Sequence, residues 1–159
     1  MQDFNGEGRE PQQIMDGLMH DYPLDTLLNG VDAPVILAAS QLRKGQADQA
    51  LRTLEAVKPY EFGAYAGLLP NYLRAVAFLQ VRKADEAAGE FNAVLVHRGV
   101  APMAPLWELS RLGLARAYKM QGDTVKARAA YQDFLTLWKE ADADIPILKQ
   151  AKAEYAQLQ

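Results

Sequence analysis

The feature that most limits how this chain can fold is an internal recurrence of small and large residues. Ala50, Ala87 and Ala127 are each followed four positions later by Leu54, Phe91 and Tyr131, and seven positions later by Val57, Val94 and Phe134. Offsets of zero, four and seven lie on one face of an α-helix. Twelve residues before the same alanines stand Ala38, Ala75 and Ala115, and nine before stand Gln41, Phe78 and Tyr118. The repeats are separated by 37 and 40 residues, the length of a helix-turn-helix unit with a short excess between units. Small residues at two facing positions let helix axes approach closely, and the large residues one and two turns on fill the wedge beside them. Each unit is therefore expected to be a pair of antiparallel helices.

The turns between paired helices support this reading. Lys44-Gly45-Gln46 and Gln121-Gly122-Asp123 offer a glycine for the left-handed residue that ends a helix, and Asp123 is placed to cap the next one. The middle turn, Arg82-Lys83-Ala84, has no glycine. The pattern predicts repeat units over 31–57, 66–97 and 105–140, built from helices at 31–44, 47–57, 66–82, 84–97, 105–120 and 124–140, with a capping helix over 145–157. Pro59, Pro70, Pro102, Pro105 and Pro146 fall in connections or first turns, where a missing N–H costs no helix bond. Residues 1–10 read as a flexible lead. A short amphipathic helix is expected from Pro11 to Asp21, ended by Tyr22-Pro23. The result is one all-α domain over residues 11–159.

Composition bounds the chemistry. Of the 159 residues 50% are apolar and 23% charged, enough to form a core, and the formal charge is −3. Without a basic excess a nucleic acid is not expected as partner, and the acidic surplus is concentrated at the N-terminus. The chain has no cysteine and only two histidines, His20 and His97, so thiol nucleophiles, disulfides and the usual zinc sets are not expected. Ser40 and Ser110 are its only serines. No catalytic residue, metal ligand or cofactor-binding residue is assigned. Glu140-Ala-Asp142-Ala-Asp144 lacks the glycine and terminal glutamate of a calcium loop, and reads as a solvated loop with Asp144 capping the last helix. No apolar run is long enough to cross a membrane, so no direct membrane contact is expected of this segment. His97-Arg98-Gly99 reads as a helix end with Gly99 in the left-handed position. Trp107, Trp138, Tyr118, Tyr131 and Phe134 read as core.

The third unit, with Ala115, Tyr118, Gly122-Asp123, Ala127, Tyr131 and Phe134, resembles the tetratricopeptide repeat, whose period is about 34 residues. The second and first units resemble it with fewer matching positions. The resemblance implies a right-handed superhelix of antiparallel helix pairs. A narrower one rests on Tyr22-Pro-Leu-Asp-Thr-Leu-Leu-Asn29, Pro59-Tyr-Glu-Phe-Gly63, Leu69-Pro-Asn-Tyr-Leu-Arg74, His97-Arg-Gly99, Gly113-Leu-Ala-Arg-Ala-Tyr118 and Asp144-Ile-Pro-Ile-Leu-Lys-Gln-Ala-Lys-Ala-Glu-Tyr155. These stretches look like the C-terminal repeat region of membrane-anchored bacterial serine/threonine protein kinases. The kinase phosphate loop and catalytic motifs are absent, so the resemblance implies a sensing or scaffolding segment rather than an enzyme.

In tetratricopeptide domains the first helix of each pair lines a concave face that takes an extended peptide. The resemblance places Val35, Ala39, Leu42 and Arg43, then Leu69, Tyr72, Val76 and Leu79, then Leu109, Leu112, Arg116 and Lys119 on that face. Arg43, Tyr72, Val76, Leu112, Arg116 and Lys119 are the candidate binding residues. The basic ones suit an acidic protein or peptide partner, and Tyr72 an apolar anchor. Self-association and small-ligand sensing stay open as alternatives, as does the side of the membrane on which the segment lies.

Overall fold

In a computed structural model, residues 10–63, 65–100 and 105–158 are described. Among them all regular structure is helical, in eight α-helices: α1 (Pro11–Asp21), α2 (Ala33–Arg43), α3 (Ala47–Leu54), α4 (Leu69–Gln80), α5 (Ala84–Val96), α6 (Leu106–Gln121), α7 (Thr124–Leu137) and α8 (Pro146–Ala156). The expected all-α class is observed. Pro102 and most of the expected lead lie outside the described residues.

The recurrent residues are the core. Ala50, Ala87, Ala127, Leu54, Tyr131, Val57, Val94 and Phe134 are fully buried and Phe91 is 1% exposed. Ala38, Ala75 and Ala115 are also fully buried, and so is Ala151 on α8. Ala151 continues the first-helix series 36 residues after Ala115, so α8 stands in the register of another first helix. Each helix packs on the next from α1 to α8, and α4 also packs on α2 and α6. The apolar interior divides into local clusters: one around Leu42, Leu54 and Val57, one around Phe91 and Leu114, one around Phe134 and Leu148, and a small one holding Leu68, Val94 and Trp107.

All three tight turns use one geometry. The backbone N–H groups of Gln46, Lys83 and Asp123 donate to the carbonyls of Gln41, Phe78 and Tyr118 at 2.9, 2.8 and 3.0 Å. This six-to-one bond needs a left-handed residue before the donor. Gly45 (φ 73°) and Gly122 (φ 81°) supply it without steric cost, and in the middle turn Arg82 takes φ 60° itself, against about 1 kcal/mol of Cβ crowding. The missing glycine alters the cost of that turn and leaves its shape intact. Asp123 accepts from the Lys126 N–H at 3.0 Å, as its N-cap position requires.

Other boundaries depart from the sequence reading for local reasons. The α-helical part of α3 ends at Leu54 and tightens into a 3₁₀ segment, Glu55–Tyr60, whose shorter bonds accommodate Pro59. Upstream of α2 the backbone forms a π-helical turn, Leu28–Asp32, ending two residues before Pro34, whose missing N–H cannot bond the Gly30 carbonyl in the regular α pattern. Asp25 starts this turn by accepting from the N–H groups of Leu27 and Leu28 at 3.1 and 2.9 Å. Gly99 does not end α5 in a left-handed residue: His97 is the C-cap and Arg98–Val100 form a 3₁₀ turn. The Arg98 guanidinium is held 4.3 Å over the Trp107 ring. Asp144 does not cap α8 either. That place belongs to Ile145, and Asp144 instead accepts from Lys149 Nζ at 2.8 Å.

Candidate functional site

The expected binding face is open over parts of α2 and α4, although Leu42 is buried in the core rather than on the face, and it is engaged over α6. Arg43 is exposed at the end of α2, beside a cleft of about 240 Å³ that it lines with Pro11, Ile36 and Ala39. Tyr72 is half-buried, its ring edge-on to Phe91 at 5.9 Å. Burial raises the pKa of its hydroxyl, and the nearby Arg116 charge opposes that rise. Val76 is half-buried and packs on the first two clusters. The same two helices each carry a large exposed apolar side chain: Ile36 on α2, 42% exposed, and Leu69 on α4, 39% exposed.

The residues from the third unit behave differently. Leu112 is not on a surface: it is 1% exposed, packed in the cluster that contains Leu148 and Ala151 of α8. Arg116 makes a two-pronged contact with Glu154 of α8, Nε at 2.9 Å and Nη2 at 3.1 Å. Tyr131 on α7 donates its hydroxyl to the same carboxylate at 2.9 Å, and burial together with that bond pushes its pKa well above the usual phenol value. Lys119 Nζ donates to Gln157 Oε1 at 2.8 Å. Both cations expected to hold a partner are thus bonded to the chain's own last segment. The sequence carries a signal for this, since extending the alanine series to Ala151 places Glu154 on the turn that follows, within reach of α6.

A polar cluster in the second unit was not anticipated. Arg74 is 2% exposed and lies at a position that is leucine in the other two units, Leu37 and Leu114. Its guanidinium pairs with Glu61 through Nη2 and with Glu90 through Nε, the latter at 2.8 Å. Asn71, also 2% exposed, donates from Nδ2 to Glu61 at 3.3 Å and to Glu90 at 3.1 Å. Through this cluster the segment linking the first and second units is tied to α4 and α5. The break in an otherwise apolar position is the sequence signal that identifies it. Beside the cluster a groove of about 460 Å³ opens, lined among others by Phe62, Phe78 and Glu86.

Compared with protein-family models, with curated proteins and with solved structures, the chain matches none.

Proposed function

We propose that this chain is a non-catalytic, tetratricopeptide-like module that binds an extended protein or peptide segment, and that it serves a larger bacterial signalling kinase as its sensing or scaffolding part. The observation that carries the reading is the recurrence of a buried alanine at Ala38, Ala75, Ala115 and Ala151 on four helices, with α2, α4 and α6 packed in series. Stacked helix pairs of this kind offer a continuous face to an extended ligand. The position of α8 refines the reading. With Arg116 and Lys119 engaged, recognition falls to the panel of Ile36, Leu69, Tyr72 and Val76, and Arg43 remains to meet an acidic group at its edge.

Selection of a displayed random-peptide library on the immobilised protein tests this. Peptides should be recovered whose affinity falls at least tenfold, about 1.4 kcal/mol, when Ile36→Asp is combined with Leu69→Asp. Both residues are exposed, so the variant keeps the fold. Val125→Asp, at an 81% exposed position on α7, should bind as the unaltered protein does. Failure to enrich any peptide, or equal binding by all three proteins, rejects the assignment. Arg116→Glu is unsuited to the purpose, because it would set two carboxylates together under α8. The kinase context has its own test: an antibody to this domain should detect, in the membrane fraction of source cells, a polypeptide far larger than 17.6 kDa. A soluble band at that mass would exclude it.

A further inference from the structure

The second and third units carry the same groove with opposite chemistry. In each, it runs between the two helices of the pair and is lined from equivalent positions. Asn71, Phe78, Glu86, Gly89 and Glu90 in the second unit correspond to Arg111, Tyr118, Lys126, Ala129 and Ala130 in the third. The third groove supplies its own cation. Lys126 Nζ lies 5.6 Å from the centre of the Tyr118 ring and 2.9 Å from Asp123 Oδ2. An ammonium over an aromatic face beside a carboxylate is a favourable arrangement.

In the second unit the ring is retained as Phe78, while the lysine position holds Glu86. Among the described residues no lysine or arginine is placed over Phe78, and the cavity wall contains none. The wall carries two carboxylates, Glu86 and Glu90, and a second ring, Phe62, which lies tilted at 33° against His97 with ring centres 4.1 Å apart. Phe62 holds its place with φ 61°, a backbone conformation that a bulky residue rarely adopts. Asn71, almost wholly buried in the same wall, turns its Nδ2 to Glu61 and Glu90, and among the described residues its Oδ1 has no donor. Gly89 leaves the wall bare where the third unit has Ala129: a Cβ there would touch nothing within 4 Å. Arg74 does not line the groove. It lies behind the wall and offsets part of the charge of Glu61 and Glu90.

We propose that the groove between α4 and α5 binds a primary alkylammonium group supplied from outside the chain, its methylene stem between Phe62 and Phe78 and its charge against Glu86 and Glu90. The same chemistry is carried by a free aliphatic amine and by a lysine side chain of a partner protein. The site shares no residue with the α2–α4 face and does not depend on it.

Titration of the ¹⁵N-labelled protein with n-butylammonium, 1-butanol and a lysine-containing peptide tests the proposal. The amine and the peptide should shift the amide signals of Phe78, Glu86, Gly89 and Glu90, and 1-butanol should leave them in place. Equal affinity for amine and peptide identifies a small-amine site, whereas a peptide preference of about tenfold or more identifies a protein's lysine. Glu86→Lys places the chain's own cation where Lys126 stands in the third unit and should abolish both responses. Gly89→Leu, whose Cβ meets no atom within 4 Å and whose branched end takes up space at the groove wall, should do the same. Peptides selected on the α2–α4 face should still bind both variants, which separates the two sites. No response to the amine and the peptide, a response shared by 1-butanol, or one that survives in Glu86→Lys overturns the proposal.

Discussion

Gly113→Ala is expected to destabilise the protein by about 3 kcal/mol, the upper part of the usual range for overfilling a packed core. A Cβ at Gly113 would collide with the ring of Phe91. That ring is itself 1% exposed and edge-on to Tyr72, so it has nowhere to move. The glycine is what allows α6 to approach α5 closely, and the ring of Phe91 occupies the space a side chain would take. Urea unfolding should show a lower midpoint with an unchanged slope. Shrinking the ring should relieve the collision, so Gly113→Ala combined with Phe91→Leu should lose less than the two single changes added together. A Gly113→Ala protein within about 0.5 kcal/mol of the original, the ordinary range for a harmless substitution, would mean that the two helices adjust freely and that this contact does not set their distance.

Removing Arg74 should be as damaging for an electrostatic reason. Arg74→Met keeps most of the volume and leaves Glu61 and Glu90 facing each other, with a buried amide as their remaining donor. Breaking a buried pair from one side costs about 3–5 kcal/mol, and that loss is expected here, again as a shift in the denaturation midpoint. Adding Glu61→Gln and Glu90→Gln to Arg74→Met should restore much of it, because the stranded charges are then gone. Arg74→Lys should rescue poorly, since one ammonium cannot reproduce the separate Nε and Nη2 contacts to two carboxylates. If Arg74→Met were as stable as the original, the cluster would not hold the inter-unit linker in place.

The two sites differ in how they are encoded. Gly113 lies one residue before Leu114 in a segment recognisable from its alanines, but nothing in its local pattern shows that the ring of Phe91, on another helix, points at it. The repeat core was readable because burial in stacked helices is periodic, and a period survives in the sequence alone. The turn at Arg82 was readable despite its missing glycine, because the flanking helices set the same six-to-one bond in all three turns. Spacing puts Arg116 and Lys119 on α6, yet their partners are Glu154 on α8 and Gln157 at its C-cap, both 38 residues away, a pairing that spacing within one unit cannot reveal. The burial of Leu112 beneath α8 escapes the spacing for the same reason. Arg74, Glu61 and Glu90 come from three separate elements, and their meeting is a property of the assembled units.

The division of the interior into neighbouring clusters bears on how the molecule opens. Among the described residues no cluster draws on both the first and the third pair, so disrupting one flank leaves the other's contacts intact, and protection of the backbone amides should vary along the chain rather than rise and fall as one. Hydrogen exchange should be slowest in α5, α6 and α7, where Phe91, Tyr131 and Phe134 are locked in. Among the three pairs it should be fastest in α2 and α3, where the aromatic position is held by Gln41, bonded to Thr53 at 3.0 Å, and the second helix has only eight residues before it tightens. Uniform exchange across all eight helices would show a single cooperative unit. A graded profile would mean that the open α2–α4 face lies at the looser end of the molecule, where ordering by a bound segment has the most room to act.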